Sequence, residues 1–412
     1  MERLDLISKL PLPILDHILS FLAIKDAAKT SVLSETWNSA WNSLSSLEFG
    51  PENFGSPYYV SYVFVDQILA KRQKHKISIQ RFNMIYFPNY LNVDNWFKIL
   101  VECNIKEFAT QYPGKKLPEV IFAAKALNVL RLGFYGPISL QVAGTLPKLR
   151  LVYLESSPPE FQMVDIAAPN LKGLYIRSDS WDLNLLININ ACVALKRLKL
   201  SSLVVTDQCL ENLLSNVPNL EILDIYYCSS LRTVKISSNR LKYLTLVSCN
   251  NLIEVDLDTP NLLGFLSDVR YGNDIVNPLP AFHLKASPLL EVSLELIPET
   301  LDTHWYSELM KSLSSFNHSK AISIFCDDYK FTYRDAADDE DGKPCCASLP
   351  WKCWRHELKK VELQQNIGLK ERLDLEKYFL TNADMLEIID EQREWRNHSD
   401  PVVWQLELPS WW

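Results

Sequence analysis

The sequence has little glycine and no excess of basic residues. Of its 412 residues only 11 are glycine, while 47% are hydrophobic and 22% are charged. This composition excludes a collagen-like, low-complexity or wholly disordered chain and is typical of a folded protein. Acidic residues outnumber basic residues by 50 to 42, which gives a net charge of −8. No overall basic field therefore exists to drive general binding to nucleic acid or to an anionic membrane.

The chain also lacks the segments that would direct it into a membrane or a secretory compartment. No apolar run approaches the length of roughly 18 residues that a membrane-spanning helix needs. No apolar stretch of signal-peptide length follows the charged residues near Met1. The nine cysteines include no Cys-x-x-Cys pair, which favours reduced thiols over a disulfide framework. We therefore expect a soluble protein of the cytoplasm, the nucleus or both.

Sequence signatures of catalysis are missing as well. The seven histidines form no His-Glu-x-x-His pattern and have no other metal-ligand spacing. No Gly-x-Ser-x-Gly, Gly-x-x-x-x-Gly-Lys or Gly-x-Gly-x-x-Gly motif occurs. We expect no catalytic residue, no metal site and no cofactor.

The sequence does contain an internal repeat. The pattern Leu-x-x-Leu-x-Leu, with other aliphatic residues at some positions, recurs at nearly regular intervals. The copies begin at Leu127, Leu149, Leu171, Leu195, Leu220 and Leu241, with looser copies at Leu262 and Leu289. These intervals match the period of leucine-rich repeats, roughly 20 to 29 residues, in which each repeat adds one short strand to a parallel sheet. The pattern predicts a solenoid over residues 127–300 with a concave sheet of seven or eight strands.

The segments that return between the strands are predicted to differ. The apolar positions between Thr206 and Val217 follow helical spacing, whereas Leu231, Val234 and Ile236 alternate like a second short strand. Cys228 and Cys249 each occupy the ninth position of a repeat, where a small side chain permits a sharp turn. We interpret both thiols as structural.

The first 48 residues predict three short helices. The first would follow Pro11 and Pro13, the second Lys25 and Asp26, and the third would carry Trp37 and Trp41. A further helix is expected over residues 59–70, followed by a basic cluster, residues 71–76, that caps the helix and faces water. Three helices this short bury too little apolar surface to be stable alone, so part of it should be covered by another chain or by the repeats.

The N-terminal residues resemble a plant-type F-box. The matching residues are Asp5, Ile7, Ser8, Leu10, Pro11, Ile14, Leu15, the run Ile18–Leu22, Lys25–Ala28, Thr30–Ser34 and Trp37. The sequence departs from that pattern at Leu12 and at Glu35 and Thr36. This resemblance implies that the segment docks on a Skp-type adaptor and, through it, on a cullin. The predicted adaptor-facing residues, some of which could instead pack the helices together, are Leu10, Pro11, Ile14, Leu15, Ile18, Leu19, Val32 and Trp37.

The C-terminal part resembles the FBD domain that follows the repeats in many plant F-box proteins. The resemblance is carried by residues 353–363 and 377–387, and a strand is predicted over residues 320–326. The expected fold is α/β, with a three-helix F-box (1–48), a linker helix and irregular repeats (49–126), the solenoid (127–300), a small α+β FBD-like domain (301–400) and an aromatic tail (401–412).

The resemblance implies a non-catalytic substrate receptor of a cullin-RING ubiquitin ligase. Two alternatives stay open: a receptor whose target binding depends on a small-molecule ligand, and a leucine-rich-repeat scaffold that does not engage the ligase. Residues at positions 3, 5 and 7 of each repeat should face the concave surface. They give a predicted site for an unknown target protein, basic enough for an acidic or phosphorylated segment, at Arg131, Tyr153, Tyr175, Arg177, Arg197, Lys199, Asp224, Tyr226 and Tyr243.

Overall fold

The computed structural model describes fourteen stretches of the chain: residues 7–50, 62–84, 93–112, 119–134, 138–142, 146–156, 161–178, 186–270, 280–284, 291–297, 315–316, 321–326, 360–363 and 388–391. The chain divides into two units, Met1–Leu289 and Leu290–Trp412. The predicted aromatic tail and the helix expected within residues 377–387 lie outside the described residues.

Three short helices open the first unit, as the sequence predicts, although the second begins at Ile24, before Lys25, and ends at Thr30, before Val32. A 3-10 turn at Ile7–Lys9 precedes α1 (Leu12–Ser20), α2 (Ile24–Thr30) and α3 (Glu35–Ser43). Helix α1 begins after Pro11, whose missing N–H costs nothing at a helix start. Helix α3 begins at a serine cap, because the Ser34 side chain accepts a hydrogen bond from the Trp37 amide at 3.2 Å.

The main sheet of this unit is parallel throughout its described strands. Its strands lie in the order β1-β2-β3-β4-β6-β8-β10-β11-β13-β15. Their bounds are β1 (Ser46–Phe49), β2 (Arg81–Met84), β3 (Glu107–Tyr112), β4 (Val129–Phe134), β6 (Leu151–Ser156), β8 (Gly173–Ser178), β10 (Arg197–Ser201), β11 (Ile222–Tyr226), β13 (Tyr243–Val247) and β15 (Gly264–Arg270). One strand per repeat, paired with the next, is the arrangement that the leucine spacing predicts.

The sheet starts earlier than the predicted solenoid. Strand β1 begins shortly after α3 ends, with only Leu44 and Ser45 between them. Strand β1 pairs with β2, β2 with β3 and β3 with β4. These strands carry the same pattern with other apolar residues in place of leucine: Leu44, Leu47 and Phe49, then Ile79, Phe82 and Met84, then Ile105 and Phe108, all buried. A search for leucine alone misses them.

A second layer of helices and short strands returns the chain between the main strands. It contains α4 (Tyr62–Lys74), α5 (Val93–Glu102), a 3-10 turn at Glu119–Ala123 and α6 (Asp207–Ser215). Two three-stranded parallel sheets complete it: β5 (Ile138–Val142), β7 (Phe161–Ile166) and β9 (Leu186–Asn188), then β12 (Thr233–Ser237), β14 (Glu254–Asp258) and β16 (Ala281–Leu284). The predicted helix after Thr206 and the predicted second strand after Leu231 are both confirmed.

The core lies between the two layers. Alternate residues of each main strand are buried, as Leu198 and Leu200 are in β10. Arg197 and Lys199, which alternate with these leucines, stay partly exposed. Cys228 and Cys249 are buried at the turns, and burial raises the pKa of the Cys228 thiol to about 11. The Cys228 thiol is therefore protonated near neutral pH, in keeping with the structural role that the sequence predicts.

The second unit contains four described strands that are parallel to one another. They are β17 (Glu291–Ile297), β18 (Ala321–Cys326), β19 (Lys360–Leu363) and β20 (Ile388–Glu391). The strand predicted over residues 320–326 is present. The boundary between the units falls at Leu289, before the end of the predicted solenoid.

Candidate interaction surfaces

The three N-terminal helices leave an apolar surface uncovered. Phe21 is 75% exposed, Val32 86% and Leu33 65%, and these residues lie at the ends of α1 and α2. Single exposed apolar residues are ordinary, but several in so short a segment indicate a surface that another molecule covers. We call this set the apolar helix surface: Ile7, Leu12, Ile14, Phe21, Leu22, Val32 and Leu33.

Five of the eight predicted adaptor-facing residues reach the molecular surface. Pro11, Ile14 and Val32 are exposed, and Leu10 and Ile18 are half-buried. Ile14 and Val32 belong to the apolar helix surface.

The other three predicted residues lie in the core of the helices. Leu15 is 0%, Leu19 1% and Trp37 7% exposed, so these side chains pack α1 against α3. This is the alternative that the sequence left open for individual residues. Sequence reasoning also missed the exposure of Phe21 and Leu33. The sequence feature that could have indicated it is a pair of apolar residues directly after a helix, Phe21-Leu22 or Val32-Leu33.

A buried arginine joins these helices to the second layer. Arg72 of α4 is 3% exposed, and its Nη2 donates a hydrogen bond to the Trp41 carbonyl oxygen of α3 at 3.0 Å. Burial lowers the pKa of Arg72 to about 10, and nearby Asp16 of α1 opposes that shift. The expectation that the basic cluster faces water is confirmed for Lys71, Lys74, His75 and Lys76, which are exposed. It is wrong for Arg72, because α4 runs to Lys74, beyond the expected end of the helix, and turns Arg72 inward.

The outward face of the main sheet carries the predicted target residues in one ladder. The register places Arg131 beside Tyr153, Tyr153 beside Tyr175, Tyr175 beside Lys199 and Lys199 beside Asp224. Arg177, Arg197 and Tyr243 point to the same face on neighbouring rows. Tyr226 belongs to this face by alternation, but it is buried, at 6% exposed, with the Lys199 side chain against its ring. Because strand side chains alternate, all nine predicted residues share this face.

Two tyrosines in this ladder stack on each other. The ring centroids of Tyr153 and Tyr175 are 4.4 Å apart with a 7° interplanar angle, and the Arg131 guanidinium lies 4.6 Å from the Tyr153 ring centroid. On the other side, Arg197 Nη1 donates a hydrogen bond to the Tyr175 hydroxyl at 3.4 Å. A Cβ at Gly173 would stand 3.2 Å from Tyr175 Cε2 and 2.8 Å from Leu151 Cδ2, so glycine leaves room for the ring.

The next part of the ladder holds a half-buried lysine. Lys199 Nζ lies 4.4 Å from the centroid of the Tyr226 ring. Burial lowers the pKa of Lys199, Asp224 opposes that shift, and Arg177 and Arg197 add to it. Burial likewise raises the pKa of Asp224, although a hydrogen bond from Thr245 and the charges of Lys199 and Arg197 oppose it. Charged groups are therefore held close together on a partly desolvated surface.

The N-terminal end of the same face contains a shallow cavity of about 250 Å³. Glu48, Arg81, Glu107 and Arg131 line it, and Arg81 forms ion pairs with Glu107 at 2.9 Å and with Glu48 at 3.8 Å. Sequence reasoning missed these residues because β1, β2 and β3 lack the leucine pattern. The lining is mainly polar, unlike the apolar interior of most small-molecule sites.

In the described stretches of the chain, no group of three or more His, Cys, Asp or Glu side chains could hold a metal ion. Within the same stretches, no helix has the length and apolarity needed to cross a membrane.

Family models match two segments of the chain, which carry the N-terminal helices and part of the outward face. A model of the F-box domain matches residues 7–49, which hold α1, α2, α3 and β1. A model of the leucine-rich-repeat domain of At1g61320/AtMIF1 matches residues 182–276, which hold β10, β11, β13 and β15. The fold is thus mixed α/β, with an F-box at the N-terminus followed by leucine-rich repeats.

The chain is similar to several Arabidopsis thaliana proteins that are named for an F-box, one of them also for leucine-rich repeats. The chain is 31% identical to the putative F-box protein At3g58860 over 55% of its own length and 52% of that relative's. Identity is 24% to the putative FBD-associated F-box protein At1g78730 and to the F-box/FBD/LRR-repeat protein At1g51370, over 93% of this chain and 87% and 88% of those relatives. The chain thus spans about half of the first relative and most of the other two.

Proposed function

We propose that this F-box and leucine-rich-repeat chain is the substrate-recognition subunit of an SCF-type cullin-RING ubiquitin ligase. In this proposal the F-box helices bind a Skp-type adaptor, the adaptor links them to a cullin, and the outward face of the main sheet binds the target protein. In this role the chain holds the target in place and catalyses no step itself. Tethering is sufficient because it raises the local concentration of a target lysine near the ubiquitin-charged enzyme. The proposed location is the cytoplasm, the nucleus or both.

The apolar helix surface carries this proposal. Its residues lie within the segment that matches the F-box domain, and Phe21, Val32 and Leu33 are all at least 65% exposed. Removing apolar area from water is favourable by about 25 cal/mol per Å², so side chains exposed to this degree favour a protein partner at this site.

Adaptor capture tests the proposal. The full chain is co-expressed with a Skp-type adaptor, and the amount of adaptor that co-purifies is measured for the parent and for Val32→Asp. A carboxylate placed at an 86% exposed position should leave the fold intact while making adaptor binding unfavourable. Replacing Leu10 and Pro11 by alanine should weaken capture in the same direction.

Val193→Asp is the matched control. Val193 is 53% exposed, stands between β9 and β10, and receives the same chemical change far along the sequence from the F-box. We expect capture to fall at least tenfold for Val32→Asp and to be unchanged for Val193→Asp. If the parent chain captures no adaptor, the receptor function is wrong and a ligase-independent scaffold becomes the better interpretation.

The small-molecule-gated receptor gains no support from the described surfaces. Such a receptor needs a deep apolar pocket with a few polar groups. The cavity of about 250 Å³ between Glu48 and Arg131 is shallow and mainly polar. It does not favour this alternative.

A further inference from the structure

Four cations lie close together on the outward face of the main sheet. Arg131 is in β4, Arg177 in β8, and Arg197 and Lys199 in β10. Strands β8 and β10 are neighbours, and only β6 lies between β4 and β8. The carboxylates nearest to them along the rows of the sheet are Glu155 and Asp224. Although the whole chain carries a net charge of −8, this region is locally positive. We call Arg131, Tyr153, Tyr175, Arg177, Arg197 and Lys199 the cationic tyrosine patch.

The contacts that position three of these cations do not neutralise them. Arg131 lies against the Tyr153 ring, Lys199 lies against the Tyr226 ring, and Arg197 donates to the Tyr175 hydroxyl. Rings and hydroxyls carry no net charge. Among the residues that the structure describes, Arg131, Arg197 and Lys199 form no ion pair within 4.0 Å, whereas Arg177 pairs with Glu155 at 3.8 Å.

We propose that the cationic tyrosine patch binds an anionic segment of the target protein, with carboxylate or phosphate oxygens placed between Arg197, Lys199 and Arg131. The inference rests on the proposed function, because it names the chemistry of the segment that the receptor would hold. Anionic oxygens would form charge-assisted hydrogen bonds with these donors, which are stronger than bonds between neutral groups.

Repulsion among the cations supports an anionic ligand. Burial is the main cause of the lowered pKa of Lys199, and Arg177 and Arg197 lower that pKa further, which means that they lie near enough to disfavour its charge. An anion bound between them would relieve that repulsion. Asp224 relieves this repulsion only in part, because it is half-buried and burial raises its own pKa, which disfavours its negative charge.

The dimensions suit a short extended segment. Arg131 and Lys199 lie on the same row of side chains, three strand spacings apart, which is about 14 Å at about 4.8 Å per spacing. Four or five extended residues at about 3.3 Å each cover that length. The parallel Tyr153 and Tyr175 rings form a rigid platform in the middle, and rigid aromatic residues are frequent in binding hot spots.

The test uses the full chain co-purified with its adaptor and three fluorescein-labelled peptides. The peptides are identical glycine and serine sequences except for two central residues, which are phosphoserine, glutamate or unmodified serine. Affinity is measured by fluorescence anisotropy at low and at physiological salt. We expect the phosphoserine or glutamate peptide to bind and the serine peptide not to bind, with binding that weakens as salt rises. The stronger of the two anionic peptides identifies the source of the oxygens.

Charge variants of opposite sign sharpen this test. Replacing both Arg197 and Lys199 by methionine should weaken binding of the anionic peptide about tenfold or more, which corresponds to about 1.4 kcal/mol. Asp224→Asn should tighten it about threefold, because it removes the negative charge beside Lys199. Exchanging Arg232 and Lys235 for methionine makes the same change in net charge on the second layer of the unit, where both side chains are exposed, and should have no effect.

Three outcomes would overturn the inference: neither anionic peptide binds, the double substitution at Arg197 and Lys199 loses no more affinity than the one at Arg232 and Lys235, or Asp224→Asn binds the peptide more weakly. The melting temperatures of all variants are compared. If the variant with methionine at 197 and 199 does not fold, the measurement on Asp224→Asn still tests the inference. Adaptor capture is measured on the same samples. Capture without peptide binding refutes the anionic site and leaves the receptor function standing, whereas absence of capture refutes the receptor function.

Discussion

Three residues in the left-handed backbone region end successive strands of the main sheet. Ser202 follows β10 with φ 54°, Tyr227 follows β11 with φ 54°, and Ser248 follows β13 with φ 55°. The Ser202 amide donates to the Tyr226 carbonyl and the Tyr227 amide to the Val247 carbonyl, each at 2.8 Å. The same turn therefore repeats along the solenoid, and each of these two amides bonds to the neighbouring strand.

This conformation predicts how Ser202 tolerates substitution. Ser202→Val should lower the free energy of unfolding by about 1 to 2 kcal/mol, because a β-branched side chain clashes with the backbone at positive φ. Ser202→Gly should leave stability unchanged or slightly raise it, since glycine adopts this region without that clash. Urea denaturation of both variants checks the difference, and equal losses would contradict the backbone explanation.

Glu221 makes the stability of the first unit depend on pH. Burial alone would raise the pKa of this carboxyl, but hydrogen bonds from Lys196 and Lys242 outweigh it, and the pKa lies below its ordinary value of 4.5. A lowered folded-state pKa stabilises the fold above the unfolded pKa, and this contribution disappears as pH falls through the folded value. At pH 7, Glu221→Gln should lower the free energy of unfolding by about 0.5 to 1 kcal/mol. The effect is small because the ion pairs of Glu221 with Lys196 and Lys242 are partly exposed.

The measurement is urea denaturation of the parent and of Glu221→Gln at several pH values. The difference between the two should be constant from pH 5 to 7 and should shrink below pH 4.5. A difference that stays the same at pH 3 would show that the ionised carboxylate is not what stabilises the fold.

At the scale of elements, helix α6 is joined to the strand of the next return segment. The Asp207 carboxylate accepts hydrogen bonds from the Arg232 amide at 2.9 Å and the Thr233 amide at 3.1 Å, where β12 begins. Asp207 also lies in the first turn of α6, where the helix dipole favours a negative charge. One side chain thus stabilises two elements.

Asp207→Ala should lower the free energy of unfolding by about 1.5 to 3 kcal/mol, since it removes charge-assisted bonds to two amides. Asp207→Asn keeps one acceptor oxygen and should lose about half as much. Calorimetric melting of the two variants tests the order. A smaller loss for alanine than for asparagine would contradict the role of the two amide contacts.

Asparagines join neighbouring repeats in a similar way. Asn170, Asn219 and Asn261 each follow a proline and precede the first leucine of a repeat. Their Nδ2 atoms donate to the carbonyls of Pro147, Val193 and Asn239 in the preceding repeat, at 2.9, 2.9 and 2.8 Å. The Pro-Asn-Leu sequence therefore marks an inter-repeat hydrogen bond as well as the start of a strand.

At the scale of the whole first unit, the F-box helices and the repeats share one framework. Strand β1 follows directly on α3, Leu47 is fully buried, and Arg72 bonds α4 to the Trp41 carbonyl of α3. Three helices this short bury too little apolar surface to be stable alone. The repeats cover one side of the helices, and the apolar helix surface lies open on another.

Arg72→Ala should destabilise this unit as a whole. Loss of the side chain leaves a cavity and an unpaired Trp41 carbonyl, at a combined cost of about 2 to 4 kcal/mol. Arg72→Met is the control, because it keeps an apolar stem and removes the cost of burying a charge, so its loss should be smaller. Hydrogen exchange should rise together in α1–α3 and in β1–β3, and a rise confined to α1–α3 would show that the helices unfold independently.

Much of this architecture follows from sequence alone, because repeats bury their own residues locally. Regularly spaced leucines determine one buried strand per repeat, and the alternation within each strand determines that Tyr175 and Lys199 face outward. The existence of the three N-terminal helices follows from Pro11 and Pro13 at the start of α1 and from apolar spacing in all three. The strands β1, β2 and β3 were also encoded, in Phe82, Phe108 and other apolar residues that a leucine search passes over.

The tertiary structure decided what periodicity leaves open. Helical spacing gives α1 an apolar face, but only packing against α3 puts Leu15 inside and Phe21 outside. Arg72 belongs to a basic cluster in the sequence, and only the position of the Trp41 carbonyl makes it a buried donor. The stacking of Tyr153 on Tyr175 and of Lys199 on Tyr226 depends on the register of strands that belong to different repeats. Such contacts are non-local, so side-chain period alone determines the face of each residue and not its partner.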